Sequence, residues 1–193
     1  MRLAALCLVA YAMLPSLSRA QAPVFVIAQN ESSVKFSVKA TVALEGSFDK
    51  WDATLTFASP NLATGVLDIK IQAASVNTGS GMKNDKLKSA DFFNVKKDPL
   101  ITFLSTKIVK AGVDTFDVQG NFTIRGVSKP VTLALKIYTE GAGSGDIKGT
   151  MFFDRRDYGM DSGIPFIRIA DLVEVTVDLK ARRVSGAPVV LQQ

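Results

Sequence analysis

Apolar and polar residues alternate with a period of two along almost the whole chain, and few folds accept such a pattern. Val34, Phe36 and Val38 alternate with Lys35, Ser37 and Lys39, and Trp51, Ala53, Leu55 and Phe57 repeat the rhythm. Leu67, Ile69 and Ile71 follow against Asp68, Lys70 and Gln72; then come Ile101 and Phe103, and Phe116, Val118, Phe122 and Ile124 with Gly120 in phase. Val131, Leu133, Leu135 and Ile137, then Ile147, Met151 and Phe153, and finally Val173, Val175, Val177 and Leu179 complete the series. With the short run Val24 to Ile27, eight or nine strands are predicted, each with one apolar and one polar face. Clusters such as Asn30-Glu31-Ser32, Ser59-Pro60-Asn61, Lys110-Ala111-Gly112 and Gly126-Val127-Ser128 punctuate them. Links this short favour antiparallel neighbours in a meander.

One apolar side on so many strands has to be hidden, either in a two-sheet sandwich or in a closed barrel. Closure also removes exposed edges. A small barrel is either filled by its own side chains or holds one apolar ligand, and alternation alone does not choose. Gly79 to Asp98 breaks the rhythm: Met82, Leu87, Phe92, Phe93 and Val95 are spaced more like a helix, with Ser89 or Asp91 able to cap a short turn. This segment reads as a cap inserted between strands, around residues 80–97.

The first 20 residues read as a cleaved signal peptide. Arg2 precedes an apolar run from Leu3 to Leu14, and Ser18-Arg19-Ala20 places small residues where a signal peptidase reads. The run is too short for a membrane span, for which about 20 apolar residues are needed. The remaining residues, 21–193, are expected to form a single domain, with 184–193 as a flexible tail. That chain carries 21 basic and 18 acidic residues, too slight an excess to argue for nucleic acid. The sequence has no His, and its one cysteine, Cys7, lies in the signal run. Disulfides, Cys/His zinc sites and a Ser-His-Asp triad are thereby excluded from the exported domain.

Several longer motifs are informative together. They are Phe36-Ser37-Val38-Lys39, Gly46-Ser47-Phe48, Ala74-Ser75-Val76-Asn77-Thr78-Gly79, Asn84-Asp85-Lys86-Leu87-Lys88-Ser89 and Asp91-Phe92-Phe93-Asn94-Val95. Pro99-Leu100-Ile101-Thr102-Phe103, the run from Gly120 to Val131 and Arg156-Asp157-Tyr158-Gly159-Met160 continue the series. In these the sequence resembles the YceI-like family of exported bacterial proteins. The resemblance implies an all-β fold, an elongated antiparallel eight-stranded lipocalin-like barrel, located in the periplasm. It also implies a long amphiphilic lipid as ligand: a polyisoprenoid, an isoprenoid quinone or a fatty acyl derivative. No other cofactor is expected; a homodimer is left open. Where the family usually has His, this chain has Ala40 and Lys86, so head-group contacts cannot be carried over.

A binding barrel needs a dry lining and a few polar groups at its mouth. The lining candidates are Phe36, Val38, Phe48, Leu55, Phe57, Leu67, Ile69 and Phe103 from the first half, and Phe122, Ile124, Leu133, Leu135, Met151, Phe153, Val175 and Val177 from the second. Plain core packing is an equal alternative for each. Phe92 and Phe93 are candidates for a lid. Asp85, Lys86, Arg125 and Asp157 are candidates for the mouth or head group; Arg125 could instead pair with Asp157 to fix closure. Ser89 with Lys86 or Lys88, and Asp154 with Asp157, are the best catalytic pairs on offer, but no supporting motif accompanies them. A non-catalytic lipid carrier is the leading reading, with a packed structural or partner-binding barrel, and less so a hydrolase, as alternatives.

Overall fold

The computed structural model describes residues 21–40, 44–140, 143–163 and 169–191; the expected signal peptide lies outside them. The first half of the chain contributes β1 (Val24–Ile27), β2 (Ser33–Ala40), β3 (Leu44–Phe48), β4 (Trp51–Phe57), β5 (Gly65–Gln72) and β6 (Val76–Asn77). A helix α1 (Gly81–Lys88) precedes β7 (Leu100–Lys110), β8 (Thr115–Ile124), β9 (Val127–Glu140), β10 (Ser144–Asp154) and β11 (Ile169–Ser185). All eleven strands belong to one sheet, and every pairing is antiparallel.

Eleven strands form an eight-staved barrel because three of its staves are broken. β1 and β2 lie end to end along β11, pairing Ile27 with Ala181 and Ser33 with Asp178. Between them Gln29–Glu31 loops out as a 3₁₀ turn. Ser32 repairs the gap: its hydroxyl accepts from the Lys180 amide at 2.9 Å and donates to the Ala28 carbonyl at 2.7 Å. β3 and β4 form a second broken stave opposite β6 and β5, which form the third, separated by the 3₁₀ turn Ala73–Ser75. Bonds from Asp49 N to the Ser75 carbonyl and from Gln72 N to the Lys50 carbonyl stitch the two breaks together. Short kinked segments let the strands bend without leaving donors unpaired.

The barrel closes between the first two staves. On one half β2 pairs with β3. On the other, β1 meets β4 through side chains: Phe25 packs on Phe57 with ring centroids 5.7 Å apart, and the Gln29 amide donates to the Trp51 carbonyl and to Asp52. β7 carries a bulge between Ser105 and Lys107, where Ser105 turns inward. Its hydroxyl accepts from the Leu67 amide at 2.8 Å, so this buried polar group is satisfied.

Inward residues form layers along the axis. Val34, Leu67, Ile69, Phe103, Val118, Leu133, Met151, Val177 and Leu179 make a tightly packed waist, each at most 5% exposed. Two inward glycines allow it. A Cβ on Gly149 would lie 2.4 Å from Leu135 Cδ2 and 2.8 Å from Val177 Cγ2, and one on Gly120 would lie 2.7 Å from Phe103 Cζ. Gly149→Ala should therefore overpack the waist and destabilise the fold by about 1–3 kcal/mol in urea unfolding; unchanged stability would show that the waist is loose.

Of the segment expected as a flexible tail, residues 184 and 185 belong to β11. The next residues fold over the barrel end away from α1. Ala187 N donates to the Gln21 carbonyl at 2.9 Å, and Val190 N donates to the Pro60 carbonyl at 2.8 Å.

Candidate functional site

At the α1 end of the barrel the inward side chains enclose a cavity of about 50 Å³. Its wall comes from Phe36 and Val38 on β2, Phe48 on β3, Ile71 on β5, Phe122 and Ile124 on β8, Phe153 on β10, and Val173 and Val175 on β11. Leu87, Phe92 and Phe93 roof it. Among the described residues, the single charged group in the lining is Arg155.

The roof is the segment that broke the strand rhythm. Helix α1 buries only Leu87, and the chain then folds back on the helix through bonds from Phe93 N to the Leu87 carbonyl and Asn94 N to the Ser89 carbonyl. Asn94 takes the left-handed conformation (φ 52°) this reversal needs. Both rings of the Phe92-Phe93 pair are buried. Phe93 packs on Phe48 at 5.9 Å between centroids, and Phe48 on Phe36 at 5.6 Å, so the lid joins a file of rings running into the barrel. Asn84 anchors the start of the segment, accepting from Thr78 N at 2.9 Å and from the Thr78 hydroxyl at 2.7 Å.

Arg125 is the latch. It sits with Gly126 in the two-residue turn between β8 and β9, both at positive φ (55° and 73°), the geometry that suits tight hairpins. Its Nη1 donates to the Ala90 carbonyl at 2.7 Å and the Phe92 carbonyl at 2.6 Å. The expected pairing of Arg125 with Asp157 is thus corrected: the guanidinium reaches the lid, while Asp157 is exposed in the 3₁₀ turn Arg155–Tyr158. Lys86 likewise acts within the lid, 2.5 Å from Asp91 and 5.7 Å from the centre of the Phe92 ring. That hydrogen bond, and then the ammonium charge, hold the Asp91 carboxyl below its ordinary value of 3.8. Asp85 is exposed on α1. None of these four mouth candidates lines the chamber.

Arg155 is the lining residue that the sequence did not single out. It continues the inward phase of Met151 and Phe153 and is only 6% exposed. Its guanidinium donates to the carbonyls of Met160, Ser162 and Ala170 and to Asp171 Oδ1, the last at 3.0 Å. So many acceptors make it a clamp that ties the turn after β10 to the start of β11 and holds the chamber rim. Beside it, Tyr158 packs edge-on against Phe122 and Phe153 at 5.8 and 5.2 Å. Its hydroxyl is buried without a hydrogen-bond partner, and burial, with a smaller effect of Asp157, pushes its pKa up to about 12.

The lining candidates divide by depth. Phe36, Val38, Phe48, Phe92, Phe93, Phe122, Ile124, Phe153 and Val175 surround the chamber beneath the lid. Leu67, Ile69, Phe103, Leu133, Leu135, Met151 and Val177 are inward core residues at or beside the waist, and border neither this chamber nor the one at the far end. Leu55 and Phe57 face that far chamber. The catalytic pairs are engaged locally: Ser89 Oγ donates to the Lys86 carbonyl, and Asp154 Oδ1 accepts from Arg156 N.

A barrel with a lid of this build can be compared with known proteins. The family model for the YceI-like domain matches residues 25–181. The chain belongs to the YceI-like family. Protein YceI of Salmonella arizonae is 41% identical over 98 residues, a match covering 51% of each chain, so this chain aligns with about half the length of that relative. Among solved structures, BcnA of Burkholderia cenocepacia superposes with a TM-score of 0.73 at 28% identity, covering 80% of this chain and 99% of BcnA. The YCEI protein of Campylobacter jejuni gives 0.61 at 28% identity, covering 72% and 84%. A polyisoprenoid-binding domain from Saccharophagus degradans, implicated in plant cell wall breakdown, gives 0.69 over 83% and 99%; at 18% identity it speaks for the YceI-like fold alone.

Two outcomes test the lid. Arg125→Ala removes two charge-assisted bonds and should speed amide exchange at Phe93 and Asn94 by about ten- to a hundredfold, leaving Val118 in β8 unchanged. A uniform change would mean that Arg125 holds the barrel rather than the lid. Because the Asp91 carboxyl lies lower in the folded lid than in the unfolded chain, its contribution is complete above about pH 4 and fades as pH falls through the lowered value. Lid amides followed by NMR should titrate with a midpoint below 3.8, and Asp91→Asn should abolish that titration.

Proposed function

We propose that this protein is an exported, periplasmic, non-catalytic carrier that takes the apolar chain of a long amphiphilic lipid, such as a polyisoprenoid or an isoprenoid quinone, into the chamber beneath its lid. The observation that carries this reading is the lining: among the described residues, a ring of Phe, Val, Ile, Leu and Met side chains with one charged group, Arg155, already committed to the rim. Such a wall offers a prenyl chain dispersion and desolvation, and nothing for bond chemistry. Each buried methylene contributes about 0.8 kcal/mol before the cost of ordering the chain. The polyisoprenoid-binding domain of Saccharophagus degradans is built on the same fold.

At about 50 Å³ the closed chamber is far smaller than the roughly 300–1,000 Å³ of a ligand pocket. On this reading Phe92 and Phe93 stand in the place of the ligand and leave when it enters, with Arg125 releasing the lid. The same narrowness favours a second reading, a barrel packed by its own side chains that works through its outer surface.

Organic extraction of the protein purified from its native envelope separates the two. The carrier should yield a prenyl lipid near one per barrel, and Val175→Trp, which fills the chamber, should lose it while remaining folded. A wild-type barrel that yields no lipid, and takes none from added polyprenol, would contradict the carrier.

A further inference from the structure

The outer face of the lid differs in charge from the rest of the molecule. Residues 21–193 hold 21 basic and 18 acidic residues, and five of the former and two of the latter fall within positions 81–97. The rest of that chain is balanced, 16 against 16, so the whole excess of positive charge sits on the lid. Of its five lysines, Lys86 is held by Asp91; Lys83, Lys88, Lys96 and Lys97 enter no ion pair among the described residues. Lys129, near the start of β9 and beside the Arg125 latch, is exposed and likewise unpaired among the described residues. The second acid of the segment, Asp85, is exposed on α1.

Apolar surface is exposed at the same end. Met82 is 86% exposed, and it lies five positions before Leu87, which α1 buries, so it is turned about 140° around the helix from the barrel. Leu100, the first residue of β7 and three residues past Lys97, is also exposed. Lysine is depleted where proteins meet proteins, because its strongly hydrated ammonium and flexible stem are costly to fix. An anionic bilayer attracts a diffuse set of lysines without fixing any of them, and it accepts an unbranched thioether between its head groups.

We propose that the outer face of the lid docks on an anionic phospholipid surface, with Lys83, Lys88, Lys96, Lys97 and Lys129 over the head-group phosphates and Met82 inserted between them. The proposal rests on the carrier reading for its purpose: the face that docks is the one that moves when a lipid enters or leaves the chamber beneath it. The attraction itself needs no bound ligand. Because charge is balanced elsewhere, the field of the molecule turns the lid end toward a negative surface. Each lysine near such a surface strengthens binding about fivefold.

The probe is a vesicle of phosphatidylglycerol and phosphatidylcholine in equal parts, with pure phosphatidylcholine vesicles and soluble polyglutamate as controls. The protein should sediment with the mixed vesicles at low salt, stay free of pure phosphatidylcholine, and be released as salt rises, because screening shortens the reach of exposed charges from about 10 Å at 0.1 M to about 3 Å at 1 M. Lys96→Gln with Lys97→Gln should weaken binding to the mixed vesicles about 25-fold. Lys107→Gln with Lys110→Gln, the same loss of charge at the other end of β7, should leave it unchanged. Met82→Ser should weaken it about fivefold, the effect of losing part of one buried side chain, and leave polyglutamate unaffected. All five side chains are exposed, so thermal unfolding should match wild type and separate lost docking from lost fold. No binding to the mixed vesicles at low salt would overturn the proposal. So would equal weakening by the two lysine pairs, which would make the attraction one of net charge, or polyglutamate binding as tight as the vesicles with no effect of Met82→Ser, which would make the partner an acidic protein. Vesicle binding of the expected pattern by a protein that yields no prenyl lipid would refute the carrier alone, and a lipid-loaded protein that ignores the vesicles would refute this docking face alone.

Discussion

The packed waist is the constraint on which the rest of the molecule depends. Eight staves with large inward side chains would leave a wide bore, but Gly149 and Gly120 present no Cβ to the interior, and Leu135, Val177 and Phe103 move into the space they leave. The walls approach at that level and diverge on either side. Above it four Phe rings and the Phe92-Phe93 lid finish the core; below it a smaller apolar layer is finished by the chain from Pro188 to Leu191. Packing at native density in the middle fixes the barrel, so that both ends can be less than full without costing the fold its stability.

The strands were legible because alternation is a direct readout of which side chains face in. Where an inward position is a glycine the readout fails: in β3, Leu44 and Phe48 flank Gly46, whose space is filled by Phe36 from the next strand, with Phe36 Cζ 2.6 Å from where a Cβ would stand. β6, at two residues, is too short to show a period. Eight staves could be expected from the pattern and the resemblance, but the breaks in three of them arise from tertiary closure, visible only when Ser32 and Ser75 are seen supplying hydrogen bonds across the kinks.

The site was legible in part, for a related reason. Apolar lining residues declare themselves by phase, so Phe36, Phe122 and Phe153 could be placed inside, although their depth could not. Charged residues were harder. Arg155 shares the phase of Phe153, and that signal could have placed it at the rim; its carbonyl partners, 5, 7 and 15 residues later, belong to irregular chain and the start of β11, where no period marks which way a carbonyl points. Arg125 was singled out as a mouth candidate, but its partners lie more than 30 residues earlier. Lys86, at a position where the family usually has His, is held by Asp91 inside the lid, so this chain spends that position on the lid's own cohesion.

Charge and apolar surface thus have separate duties: the lid chamber is lined by apolar side chains, while the guanidiniums of Arg125 and Arg155 fasten lid and rim. The division of the interior can be observed directly by crystallography under xenon pressure, because xenon occupies dry cavities of tens of Å³. Two separate sites are predicted, one beneath Phe93 and one beneath the chain from Pro188 to Leu191, with none between Leu133 and Val177. A continuous file of xenon through the waist would contradict a divided barrel and point instead to a single open tunnel.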